Sequence, residues 1–148
     1  MSAENLLIID DEPMVRLGLG EMLKAEGYRI EEAENVATAR QRAKGTAPAA
    51  ILTDMQLPDG SGLDLIPVFK EIWPEVPILV MTAHGSIDTA VTAMQAGAFT
   101  YLQKPLNTEE LLVVLRKALD TSRLEWQLED RRRRKSEQFG FDRIVARS

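Results

Sequence analysis

The sequence predicts a doubly wound α/β domain: five parallel strands with helices on both faces. Five short apolar runs alternate with five longer amphipathic ones. Those runs hold consecutive apolar residues where a half-exposed strand would alternate, which is the pattern of strands covered on both sides. Length agrees: 148 residues, 45% hydrophobic and 28% charged, suit one domain with a real core and a short appendage.

LLII (6–9) reads as the first strand and runs straight into Asp10, Asp11 and Glu12. Pro13 suits the first turn of the helix that follows, and Gly27 closes it. YRIEEAE (28–34) is the second strand, and Asn35 caps a helix ending near Gly45. AAILTDM (49–55) is the third, followed by the turn Gln56-Leu57-Pro58-Asp59-Gly60 and a helix over SGLDLIPVFKEIW with Ser61 as its N-cap. VPILVMTA (76–83) is the fourth, with Ser86 capping and Gly97 ending the next helix. FTYL (99–102) is the fifth, and TEELLVVLRKALD completes the alternation.

Composition narrows the function classes. The absence of cysteine removes disulfides, thiolate metal sites and thiol nucleophiles, and agrees with a reducing, cytoplasmic location. The N-terminus has no basic region and its apolar run is too short for a signal peptide or membrane span. The net charge of −5 is uneven: residues 1–122 hold 18 acids against 10 bases, and 123–148 hold 8 bases against 5 acids. The basic run RRRRK (131–135) fits a solvated helix face or linker as well as an acidic partner.

In doubly wound sheets, function gathers beyond the carboxyl ends of the strands. At those ends stand Asp10 and Asp11, Asp54, Thr82, and Lys104-Pro105; only the second strand, ending in Glu32-Ala33-Glu34-Asn35, lacks an obvious partner. Each has an ordinary reading alone: Asp10 or Asp11 as a helix cap, Asp54 as a turn former, Thr82 as a strand-end residue, Lys104 as a surface lysine. Their joint placement at four of five carboxyl ends favours a shared pocket. Clustered carboxylates repel one another unless a cation sits among them, and the oxygen-seeking Mg²⁺ suits three acids.

The acidic pair in LLIIDDEP, the central LTDMQLPDGSGLDL, the segment MTAHGSIDTAVTAMQAGAFTYL and the Lys-Pro of LQKPL together resemble a response-regulator receiver domain over about residues 4–121. That resemblance implies a flavodoxin-like sheet of strand order 2-1-3-4-5. It also implies a signalling domain, not an enzyme in its own right: one that accepts a phosphoryl group from a partner sensor histidine kinase. Asp54 corresponds to the phosphoacceptor. Asp11 is then the direct Mg²⁺ ligand, Asp10 the acid holding the metal through water, and the Gln56 backbone carbonyl a further ligand. Thr82 and Lys104 correspond to the groups that hold the phosphoryl oxygens, Tyr101 to the switch aromatic, and Lys104-Pro105 to a cis peptide. Gln56 and His84, each two residues past a functional position, are candidates for tuning water access to the phosphoaspartate. His84 is otherwise an exposed loop histidine.

Helical character continues past Leu119, with Leu112, Leu115, Leu119, Ser122 and Trp126 spaced to pair with a second copy. The expected organisation is a receiver over 1–122, a helical linker and possible coiled coil over 123–138, and the start of a further domain over 139–148. FGFDRIVARS resembles the opening of the AAA+ domain of sigma-54-dependent enhancer-binding activators of the nitrogen-regulatory class, although Ala146 stands where glycine is usual. The resemblance implies a homodimeric transcription regulator whose full length binds DNA and sigma-54 RNA polymerase, with no membrane partner. Three alternatives share parts of the pattern. A free-standing phosphorelay receiver would end near residue 122. A haloacid-dehalogenase-type phosphatase would carry a second Asp where Gln56 stands. A flavodoxin-like electron carrier would need hydroxyls and amides in the acidic first loop.

Overall fold

The computed structural model describes residues 4–83, 85–124 and 127–128. In chain order the elements are β1 (Asn5–Ile9), α1 (Pro13–Ala25), β2 (Arg29–Ala33), α2 (Val36–Arg42) and β3 (Ala50–Asp54). A small hairpin, β4 (Gln56–Leu57) and β5 (Gly60–Ser61), and a 3₁₀ turn (Gly62–Asp64) lead into α3 (Leu65–Ile72). Then come β6 (Ile78–Thr82), α4 (Ile87–Ala96), β7 (Thr100–Gln103) and a last helix, α5, over residues 108–124. The main sheet is five-stranded and parallel, in the order β2-β1-β3-β6-β7. With the hairpin set aside, this is the 2-1-3-4-5 order expected.

Each central strand serves two cores. Leu7, Ile9, Ile51, Ile78 and Val80 face Leu65, Ile66, Phe69 and Ala93 of α3 and α4. Their neighbours Leu6, Ile8, Leu52, Leu79 and Met81 face Leu19 and Leu23 of α1 and Leu111, Leu115 and Leu119 of α5. Alternating side chains therefore point to opposite faces of a sheet covered on both sides. Every residue of β3 and β6 is buried, whereas β2, at the edge, exposes Arg29, Glu31 and Glu32. Each fully buried Leu or Ile contributes about 1.5–3 kcal/mol to stability.

Capping chemistry fixes where the helices begin and end. Asn35 accepts from the Thr38 amide at 2.7 Å, and Ser86 forms a reciprocal capping box with Thr89. Gly97 closes α4 at φ 113°, in the left-handed region that glycine favours. Ser61 caps the 3₁₀ turn, accepting from the Leu63 amide at 3.1 Å, and not α3 itself. A three-residue 3₁₀ turn carries no sequence period, so the expected single helix from Ser61 is split into this turn and α3. The N-cap of α1 is Glu12, which makes no side-chain capping bond. Asp10 and Asp11 are thus not the helix caps they would ordinarily be, and a different cause must hold them there.

Strand register sets the height of each pocket residue. Ile9 pairs with Thr53, so Asp10 and Asp54 emerge side by side. Asp54 pairs with Met81, putting Thr82 one step beyond, and Thr82 pairs with Gln103, putting Lys104 one step beyond that.

Candidate functional site

Lys104 joins the two strands' acids. Its ammonium donates to Asp10 Oδ2 at 2.6 Å and to Asp54 Oδ2 at 2.9 Å. Asp10 is fully buried and Asp54 nearly so. Burial by itself favours the neutral amine, but hydrogen bonds to Asp10 and Asp54, with their charges, outweigh it and hold the Lys104 pKa above its usual value. The Lys104-Pro105 peptide is cis, and the Lys104 amide donates to the Thr82 carbonyl at 2.7 Å. Thr82 is buried at the end of β6.

Asp10 has every polar group engaged. Its amide donates to the Ala33 carbonyl of β2, and its Oδ1 accepts from the Glu12 amide at 2.9 Å. Its own carbonyl accepts from the Arg16 guanidinium. The turn over residues 10–12 leaves Asp11 and Glu12 exposed at the rim. Carboxylate oxygens of Asp10, Asp11, Glu12 and Asp54 all lie within 4.8 Å of one another. Four hard anionic oxygen donors this close fit a hard divalent cation such as Mg²⁺ and poorly fit a soft metal.

The loop after β3 is held just as firmly. The Gln56 amide donates to Asp54 Oδ1 at 3.1 Å, and the Ser61 hydroxyl donates to the Met55 carbonyl at 3.1 Å. A Cβ on Gly62 would lie 2.0 Å from the Asp54 carbonyl oxygen, so only glycine lets the chain pass behind the acid. Asp59, at the hairpin tip, reaches across to the start of α2 and accepts from the Val36 and Ala37 amides at 2.7 and 3.0 Å. The Val36 amide bond above all, with help from the Ala37 amide and its own, outweighs the opposing effect of burial and lowers its pKa.

Of the residues expected at the site, Asp10, Asp11, Asp54 and Lys104 converge, and Gln56 and Thr82 adjoin them through main-chain bonds. Tyr101 stands apart, half-buried, its hydroxyl 3.2 Å from Thr89 Oγ1 on α4. A Cβ on Gly85 would lie 2.5 Å from the same hydroxyl. His84, Trp126 and the tail beyond residue 128 lie outside the described residues, and Leu115 and Leu119, expected to pair with a second copy, are instead buried in the domain's own core. No sequence pattern marks Arg16, Glu32 or Gly62 as neighbours of the site. Asp59 was legible as part of a Pro-Asp-Gly turn, but its reach to α2 was not.

Fold and pocket define a class: a doubly wound α/β domain with an acidic, lysine-bridged cluster at the carboxyl ends of its strands. The chain belongs to the response regulator receiver domain family, whose profile matches residues 6–116. It is 41% identical over 119 residues to the response regulator protein PilR of Pseudomonas aeruginosa, covering 80% of this chain and 27% of that protein. It is 38% identical over 122 residues to the DNA-binding transcriptional regulator NtrC of Azospirillum brasilense, covering 82% of this chain and 25% of that one. The chain spans about a quarter of the length of the curated relatives it matches first.

Two solved structures are also similar. The beryllofluoride-activated NtrC4 receiver domain dimer superposes with a TM-score of 0.75 at 34% identity, over 80% of this chain and 98% of that one. A response regulator from Burkholderia pseudomallei, determined with a phosphorylated aspartic acid, a calcium ion and citrate, gives 0.74 at 36% identity, over 85% and 74%. Among the described residues, no helix is long and apolar enough to cross a membrane.

Proposed function

We propose that this receiver accepts a phosphoryl group on Asp54 from a phosphohistidine of a partner kinase, and that the pocket holds Mg²⁺ through Asp11, Asp54 and the Gln56 carbonyl, with Asp10 acting through water. The observation that carries the reading is the single lysine bridging two buried carboxylates in a cluster of four acids. A bound Mg²⁺ supplies positive charge against the repulsion between carboxylate and phosphoryl oxygens. Asp54 Oδ attacks phosphorus in line; the O–P bond forms as the P–N bond to imidazole breaks, and the leaving imidazole takes up a proton. Lys104, already 2.9 Å from Asp54, is in reach of the transferred group's oxygens, and Thr82 is the neighbouring hydroxyl donor. A phosphorylated aspartate and a calcium ion occur together in the Burkholderia regulator, which supports the same chemistry here.

Thr82 and Tyr101 then couple the pocket to the face formed by α4, β7 and α5. Ile87, Val91 and Met94 expose apolar side chains along α4, a surface suited to a second copy. The chain is the receiver, over 1–122, of a longer sigma-54-class transcription regulator, with a linker over 123–138 and the start of an AAA+ domain over 139–148. The identity to PilR and NtrC over about 120 residues supports that reading.

The test is intact mass after incubation with Mg²⁺ and a small acyl phosphate. The parent should gain about 80 Da, one phosphoryl group, and Asp54→Asn should gain nothing. Undiminished labelling of Asp54→Asn would remove the assignment.

A further inference from the structure

The edge strand, which by sequence offers the pocket no partner, reaches it through one arginine. Arg16, on the first turn of α1, has a largely buried side chain. Its guanidinium donates to the Asp10 carbonyl and pairs through Nε with Glu32 Oε1, 3.4 Å away at the end of β2. Glu32 is itself fixed by α2: Arg42 donates to its carbonyl through Nε and Nη2 at 3.2 and 3.0 Å. A relay of side chains and main chain thus runs from α2 through β2 and α1 to the backbone of Asp10.

From this geometry we infer that Arg16 is a positioning residue for the divalent-cation site, and that Glu32 orients it. Arg16 contacts the Asp10 main chain and none of the carboxylates that would bind the ion. The peptide it holds joins Asp10 to Asp11, so it governs where the Asp11 carboxylate sits relative to Asp54. Opposite it, the Asp10 amide is held by Ala33 of the same edge strand. Asp10 is therefore held at its amide by β2 directly, and at its carbonyl by Arg16, which β2 orients through Glu32.

Position and charge predict opposite signs. A guanidinium beside four carboxylates repels an incoming cation, so if it acted by charge alone its removal would tighten divalent binding. If it acts by position, removal weakens binding although a repulsive charge has gone. Groups that orient metal ligands from outside the coordination sphere typically change affinity by about 10- to 100-fold.

The inference rests on the proposed Mg²⁺ site, and the experiment separates the two. Titrate the full chain with Mg²⁺ alone and follow the backbone amide resonances of residues 10–12 and 54–56. Run the parent, Arg16→Ala, Arg16→Gln and Glu32→Ala, with thermal melts to show that each is folded. Saturable binding by the parent, about tenfold weaker binding in Arg16→Ala and Arg16→Gln, and a smaller loss in Glu32→Ala are expected. The double variant Arg16→Ala/Glu32→Ala should be little worse than Arg16→Ala, because the two act as one unit. Unchanged or tighter binding in the Arg16 variants overturns the positioning role. Should Arg16→Ala not fold, Glu32→Ala, altered at an exposed carboxylate, decides alone: unchanged affinity there overturns the relay. No binding by the parent overturns the metal site, and the inference with it.

Discussion

The two ends of the sheet use charge differently. At the carboxyl ends, Lys104 bridges two carboxylates within the protein, with Asp10 wholly removed from solvent. At the amino ends, Arg123 of α5 pairs with Glu4 just before β1, and both are substantially exposed. Next to it the Ser122 hydroxyl donates to the Glu75 carbonyl at 2.6 Å. An exposed pair is screened and contributes little. A buried cluster costs desolvation, and breaking it strands a charge. The first kind of contact tethers a helix end; the second is retained where chemistry needs it.

The sharpest way to break the contrast is Lys104→Ala. With Asp10 and Asp54 left without their ammonium, unfolding free energy in chelator should fall by about 3–5 kcal/mol, measured by urea titration. A loss no larger than that of an exposed pair would put the two ends on the same footing. The pH dependence refines the point. The Lys104 pKa is raised in the folded state, so its stabilisation is complete below the ordinary value of 10.5 and disappears as pH climbs through the higher folded value. The stability gap between parent and Lys104→Ala should therefore be flat across neutral pH and narrow only in strong alkali.

Gly62→Ala tests whether backbone space matters at that end as much as charge. The added methyl must displace the Asp54 carbonyl, and destabilisation of about 1–3 kcal/mol is expected, judged by the shift in urea midpoint at constant slope. At the amino end the effects should be smaller. Ser122→Ala removes one hydrogen bond and should cost about 0.5–1.5 kcal/mol. Arg123→Ala should cost less than about 0.5 kcal/mol, and that cost should shrink with added salt, as a screened pair requires. An Arg123→Ala loss equal to that of Lys104→Ala would erase the distinction.

How much of this was legible depended on whether an interaction is carried by pattern or by three-dimensional meeting. The strands announced themselves as apolar runs, and the pocket acids as polar residues placed where those runs stop. Parallel register then brought Asp10, Asp54 and Lys104 together without further information. The hairpin β4–β5 was not legible, because two residues per strand carry no period. Arg16 and Glu32 looked like surface charges on separate segments, and only the adjacency of β2 to β1 lets them meet. Gly62 was one glycine among nine, and nothing local marks it as the position that passes behind Asp54.

The capping box of α4 has a consequence for Tyr101 that follows from counting protons. Thr89 Oγ1 has one hydrogen to give and two lone pairs to receive with, three places in all. Four groups claim them: the Ser86 amide at 2.9 Å, the Ser86 carbonyl at 3.0 Å, the Ser86 hydroxyl at 3.0 Å and the Tyr101 hydroxyl at 3.2 Å. One claimant is always turned away, and the longest contact is the tyrosine's. The three short ones all lie within the helix cap, which stays intact whether or not the phenol is there. Were the Tyr101 ring to leave α4, the three Ser86 contacts would still fill every place on Thr89 Oγ1, so no unmet hydrogen bond would be left behind there.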